Sequence, residues 1–176
     1  PKVPSKHAFS EKEALQQLAE LKGSGVTWLG QASFLLRVSG KTILTDPFLS
    51  NRASPFSFVG GVTRYAPPGI SIANLPQVDA IIISHNHYDH LDTHTIARVE
   101  AHSQPLWFVP LANRELLEDE GVAPERVVEL DWWEAREVKL PLTPSQETAS
   151  QERASQEVQQ TVRFALTPAQ HWSARG

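Results

Sequence analysis

The junction at residues 78–90 constrains this chain most, because the apolar run Val78-Asp79-Ala80-Ile81-Ile82-Ile83 passes directly into Ser84-His85-Asn86-His87-Tyr88-Asp89-His90. A run so rich in β-branched residues is the pattern of a strand buried on both faces, as inner strands of layered α/β sheets are. The polar cluster therefore begins where such a strand ends and the backbone turns. His85 and His87 are two apart, so both rings point to one side while the chain stays extended. Asp89 and His90 follow after the bend, which divides four candidate ligands between two neighbouring positions. The chain contains no cysteine, which excludes disulfides and thiolate sites. Any metal must then be held by imidazole and carboxylate. One histidine at a strand end is ordinarily a solvated surface group, but H-x-H-x-D-H after a buried strand points to a transition metal. Such ligands suit zinc, and also iron and manganese.

The flanking sequence supplies the elements of an α/β layer. Ser10-Glu11-Lys12-Glu13 is a capping box, and Ala14, Leu15, Leu18 and Ala19 repeat at helical spacing. A helix over about 10–22, stopped by Gly23, is predicted. Residues 26–29, 33–38 and 41–45 read as strands, the last two joined at Ser39-Gly40 as a hairpin. Residues 46–76, rich in Pro, Gly, Ser and aromatics, read as one long loop. A helix over 93–101, a strand over 106–109, a helix over 111–120 closed by Gly121 and a strand over 127–130 follow. Asp92 is placed to cap the helix that begins after it. Residues 141–160 have the composition of a polar insertion or flexible loop, and 161–166 resume as a strand. Strand and helix alternate, which favours α/β layering.

With 176 residues, of which 40% are hydrophobic, the chain suffices for one domain or part of one. The formal charge of -4 and scattered Lys and Arg give no footprint for nucleic acid. No apolar run approaches the ~18–20 residues of a membrane span, and no apolar leader is visible. A soluble protein, cytoplasmic or peripheral to a membrane, is expected. The chain begins at Pro1 and contains no Met, which leads us to expect a partial chain.

Six blocks in order resemble the N-acylphosphatidylethanolamine-hydrolysing phospholipase D family of the metallo-β-lactamase superfamily. They are Thr27-Trp28-Leu29-Gly30, Leu44-Thr45-Asp46-Pro47, the cluster from Ser84 to Asp92, Trp107-Phe108-Val109-Pro110, Glu129-Leu130-Asp131-Trp132-Trp133 and Thr167-Pro168-Ala169-Gln170-His171-Trp172. The resemblance implies an α/β fold (α+β in some schemes), the αββα sandwich, with residues 1–176 as the N-terminal part of one domain supplying mainly the first sheet and its helices. It implies that His85, His87 and His171, the last at a strand end, bind a first metal. Asp89 and His90 bind a second and belong to the catalytic centre. Zinc is the implied metal, with two ions in the complete enzyme and one or two here. A bridging Asp in a Gly-Asp context and a last His would lie beyond Gly176.

Other residues receive narrower expectations. Asp46 ends a strand, and metal-bound imidazoles commonly hand their second N–H to a carboxylate, so it is expected to orient a ligand, with a turn cap as the alternative. Tyr88 is a candidate for the substrate pocket. Gln31 stands where many relatives of the resembling family place a histidine, and is not counted as a ligand; His7, His94 and His102 are not either. Trp132-Trp133 and the Phe-rich loop read first as core and second as a surface for acyl chains. The implied reaction is metal-assisted attack on phosphorus in an N-acylphosphatidylethanolamine-like phospholipid. A sugar-phosphate lactonase, or a metal-binding module without activity of its own, are the alternatives. Implied partners are a phospholipid or other phosphoester substrate, a membrane surface, and a second copy or the missing C-terminal half.

Overall fold

The computed structural model describes residues 9–54, 60–140 and 161–171. The polar segment at 141–160 and the loop aromatics Phe56 and Phe58 lie outside the described residues.

Helix α1 (Glu11–Glu20) starts on the predicted capping box: Glu13 N–H donates to the Ser10 hydroxyl, and the Glu13 carboxylate takes the Ser10 N–H at 2.8 Å. It stops at Leu21, slightly before the predicted end, where the backbone turns extended. Strands β1 (Gly25–Gly30), β2 (Ser33–Val38) and β3 (Lys41–Thr45) form an antiparallel meander. Ser39 and Gly40 both take positive φ, 51° and 75°, the requirement of a tight turn that matches strand twist. The segment read as one loop contains a small antiparallel pair, β4 (Arg52–Ala53) with β5 (Val62–Thr63), and a short 3-10 turn at Ile72–Asn74.

Strand β6 (Ala80–Ile82) is the centre of the predicted apolar run and pairs parallel to β3. After it come α2 (Thr93–Ser103), β7 (Leu106–Pro110), α3 (Arg114–Glu118) and β8 (Val127–Leu130). The main sheet has six strands in the order β1-β2-β3-β6-β7-β8, antiparallel on the β1–β3 side and parallel from β3 onward. Helix α3 is shorter than predicted because Ala112 sits at φ 64°, outside the right-handed region, so the helix cannot start before Asn113. Asp92 occupies the N-cap position of α2, yet its carboxylate takes no cap bond from the helix backbone. It accepts instead from the Thr95 hydroxyl at 2.6 Å and from Ser50 N–H at 3.0 Å, tying the loop after β3 to the helix.

The two faces of the sheet are covered differently. On one, Leu29, Leu35, Leu44, Ile81, Ile83 and Trp107 pack against Leu18 of α1, Ile96 and Val99 of α2 and Leu117 of α3. On the other, Ile43, Ala80, Phe108 and Leu130 meet a second, two-stranded antiparallel sheet made of β9 (Ala135–Lys139) and β10 (Thr161–Ala165). Its anchor is Phe164, stacked on Phe108 with ring centroids 3.8 Å apart and planes 16° from parallel. This is a mixed α/β architecture in which helices and a second sheet sandwich the first. Trp132 and Trp133, expected first as core, are 62% and 75% exposed in the turn between β8 and β9. Trp133 has φ 69°, and its N–H donates to Leu166 O, so the turn fixes the backbone and leaves both indoles outside.

Because Phe164 is the main apolar contact of the second sheet, Phe164→Ala should destabilise the protein by about 3 kcal/mol, the usual size for deleting a buried ring. Val62→Ala, at an exposed site, should cost less than about 0.5 kcal/mol. Urea unfolding followed by circular dichroism measures both, and equal effects would contradict the assignment of Phe164 as anchor.

Candidate metal centre

The site is built where β3 and β6 end side by side. Their parallel register pairs Thr45 with Ile82, and Asp46 N–H continues the ladder to Ile82 O at 2.9 Å. Asp46 then leaves the strand at φ 38°, a left-handed conformation that costs an ordinary residue about 1–2 kcal/mol. Its carbonyl is held there by Phe48 N–H and the Ser33 hydroxyl, both at 2.8 Å. The buried carboxylate faces the start of the histidine cluster. It accepts Ser84 N–H at 2.7 Å on Oδ1, and the Ser84 hydroxyl at 2.7 Å and His90 Nδ1 at 3.0 Å on Oδ2.

These bonds settle the ring tautomers. A carboxylate only accepts, so the single hydroxyl hydrogen of Ser84 goes to Asp46. The Ser84 oxygen, 2.9 Å from His85 Nδ1, must then accept from that nitrogen. His85 Nε2 is left with the lone pair, and it is buried with no hydrogen-bond partner among the described residues. His90 likewise donates from Nδ1 to Asp46, which turns its Nε2 toward Asp89 Oδ2, 3.8 Å away. Burial, followed by repulsion from the imidazoles of His90, His87 and His171, pulls His85 down to a pKa of about 4, so it is neutral at pH 7. His90 is shifted the other way: its hydrogen bond to Asp46 raises it, against the opposing effect of burial.

His171 arrives from the far end of the described chain. Strand β10 stops at Ala165, and Leu166 is fixed by its N–H to Glu134 O at 3.0 Å and its carbonyl to Trp133 N–H. The segment from Leu166 carries His171 over the cluster, so the residue lies beyond the strand and not at its end. His171 Nε2 comes 3.2 Å from His87 Nδ1. The rings of His85, His87 and His171 form a triangle with centroids 4.6 Å apart on every side. One nitrogen from each lies within 4.8 Å of the others. Ligand nitrogens about 2.0–2.1 Å from a tetrahedral ion are themselves about 3.3 Å apart, so modest closure brings this set onto one cation. A buried, partnerless lone pair on a neutral imidazole, with two further imidazoles beside it, fits a divalent metal.

Asp89 and His90 adjoin the triangle, the His90 ring 4.0 Å from that of His85. Asp89 Oδ2 accepts the side-chain amide of Gln31 at 2.8 Å. Sequence reasoning set Gln31 aside as a non-ligand and gave it no role; nothing in the sequence links it to a residue 58 positions away. Tyr88 is half-buried in the turn that separates His87 from Asp89. His102 has a structural contact, Nε2 to Leu75 O at 2.9 Å, His94 lies on α2, and His7 is outside the described residues.

The tautomer assignment has a direct check in the metal-free protein. Long-range 15N–1H spectra at pH 7 should show His85 protonated on Nδ1 and bare on Nε2, and Ser84→Ala should remove that preference. An Nε2-protonated His85 in the unsubstituted protein would contradict it.

Comparison with known proteins identifies the family. Residues 41–176, more than half of the chain, match the family model described as the beta-lactamase superfamily domain. An uncharacterized protein of Mycobacterium tuberculosis (strain ATCC 25618 / H37Rv) is 43% identical over 113 residues, covering 64% of this chain and 30% of its own. N-acyl-phosphatidylethanolamine-hydrolyzing phospholipase D 1 of Caenorhabditis elegans is 39% identical, covering 65% of this chain and 33% of its own. The mitochondrial N-acyl-phosphatidylethanolamine-hydrolyzing phospholipase D of Saccharomyces cerevisiae is 32% identical over 85% of this chain and 27% of its own. The chain thus spans about a third of the length of these relatives. The family match and the layered α/β fold place this chain in the metallo-β-lactamase superfamily.

Proposed function

We propose that the chain carries the metal centre of a zinc-dependent hydrolase that cleaves a phosphodiester bond in N-acylphosphatidylethanolamine-like phospholipids. The observation behind this reading is the meeting of His171 with His87, 84 positions apart, around the partnerless Nε2 of His85. In this reading His85, His87 and His171 hold one ion, and Asp89 and His90 contribute to a second. Three protein nitrogens are the number a catalytic zinc commonly takes, with one position left for water or substrate. A divalent ion held there would supply Lewis acidity and lower the pKa of water toward ~7.

The protein's own groups prepare that chemistry. Asp46 and Ser84 hold His85 with its Nε2 lone pair inward and keep its other nitrogen occupied. The same carboxylate turns His90 toward Asp89. Tyr88, in the turn between the two groups of ligands, borders the substrate. The phospholipid substrate is supported by the likeness to the worm and yeast proteins, whose names state that activity. It is supported also by three exposed apolar side chains, Leu111, Trp132 and Trp133. They follow β7 and β8 at the same carboxyl edge of the parallel strands that carries His85 after β6. Indoles exposed in this way suit the interface between water and lipid, which is the reading under which the protein contacts a membrane peripherally. No helix among the described residues is long and apolar enough to cross a membrane.

The reading predicts that zinc-loaded protein hydrolyses N-acylphosphatidylethanolamine in mixed micelles to phosphatidate and N-acylethanolamine. Chelation should abolish the activity and added zinc restore it. His85→Ala and His171→Ala should each lower the rate at least ~100-fold, the upper range of losses at metal-supporting residues. Rates for the unsubstituted protein no higher than for His85→Ala, on this lipid and on a simple chromogenic phosphodiester, would refute the proposal.

A further inference from the structure

We propose that Gln31 is a positioning residue for Asp89, holding that carboxylate so that it faces His90 and the second ion; this rests on the reading that Asp89 and His90 contribute to that ion. The Gln31 amide donates from Nε2 to Asp89 Oδ2 at 2.8 Å, and the same oxygen faces His90 Nε2 at 3.8 Å. A carboxylate has no hydrogen to give, so the contact must use the amide's NH2 group. One oxygen of Asp89 is thereby fixed in direction, and the ring of His90 is fixed from its other side by Asp46. The two residues of the second position are each held by a neighbour that is not itself a ligand.

Gln31 is exposed, and a hydrogen bond at the surface orients little unless the backbone behind it is already set. Here it is set. The register between β1 and β2 slips between Trp28 and Gly30, the kind of irregularity that re-aims a side chain next to a site. Gly30 has φ 108°, and a Cβ at that position would lie 2.4 Å from the Arg64 guanidinium. Gln31 follows at φ 53°, with its carbonyl held by the Trp28 indole N–H at 2.9 Å. A non-glycine residue held in the left-handed region, with its carbonyl bonded to the Trp28 indole, points to a functional constraint on where its side chain goes.

The residue type matters as well. A lysine or arginine reaching Asp89 would pair with its charge and compete with a cation. An amide directs the carboxylate and leaves its full negative charge for the metal. It also carries no charge of its own at any pH, so the orientation does not depend on a proton.

Cobalt(II) substitution of the protein tests this, with affinity for each equivalent measured by chelator competition and by the visible d–d bands. Gln31→Ala should weaken the second equivalent about 10–100-fold and alter its bands, with the first equivalent unchanged. Gln31→His, whose ring N–H can donate to the same oxygen, should restore the second equivalent. Thermal melting of the metal-free variants identifies any that fail to fold, and Gln31→His then decides. Equal weakening of both equivalents, or no change in either, overturns the role of Gln31. If the unsubstituted protein takes up only one equivalent, the second position itself is wrong and Gln31 falls with it, an outcome visible before any variant is made.

Discussion

The architecture of the site hangs on the Asp46 carboxylate. It is buried at the carboxyl end of β3, in a left-handed conformation, and takes three hydrogens from the start and end of the histidine cluster. The parallel pairing of β3 with β6 makes this possible, because only that register puts Asp46 beside Ser84. The other end of the pair is pinned too, where Asp79 accepts Thr42 N–H at 2.7 Å and lies 3.7 Å from the buried Lys41 ammonium. A slip of one residue would turn every side chain of β6 to the other face and lose both anchors.

Four imidazoles packed this closely repel one another whenever more than one is charged. The protein manages this by dividing them. His85 is driven neutral by burial and by its neighbours, whereas His90 donates to the Asp46 carboxylate and is shifted up. What stays unsatisfied is the inward nitrogen of His85, a buried acceptor without a donor among the described residues. Such a group is costly unless something positive or protic meets it. Three of the six left-handed non-glycine residues among the described ones bear on the same place: Asp46 and Gln31, hydrogen-bonded to the cluster, and Trp133, holding the segment that leads to His171. Strain of this kind persists where surrounding bonds over-determine it, and it concentrates at functional sites.

Much of this was legible in the sequence because the signals were local. The capping box at Ser10, the two strand-like segments joined at Ser39-Gly40 and the β-branched run of β6 each depend on residues a few positions apart, and each element lies where its pattern places it. The histidine cluster was visible for the same reason. Strand β9 was missed because Ala135-Arg136-Glu137-Val138-Lys139 is mostly charged and pairs with a strand across an intervening segment. The two tryptophans read first as core because aromatics usually are, yet the turn geometry at Trp133 turns them outward. Gln31 and the detail of the Asp46 network depend on contacts 38 to 58 positions apart, which no pattern along the chain reports.

The central claim is that His85, His87 and His171 converge on one divalent cation. X-ray absorption at the zinc K-edge of the protein with one equivalent of zinc reads this most directly. The account predicts a first shell with three imidazole nitrogens at about 2.0–2.1 Å and the outer-shell scattering of their rings. A shell of oxygens alone, or one with fewer than two imidazoles, would contradict it.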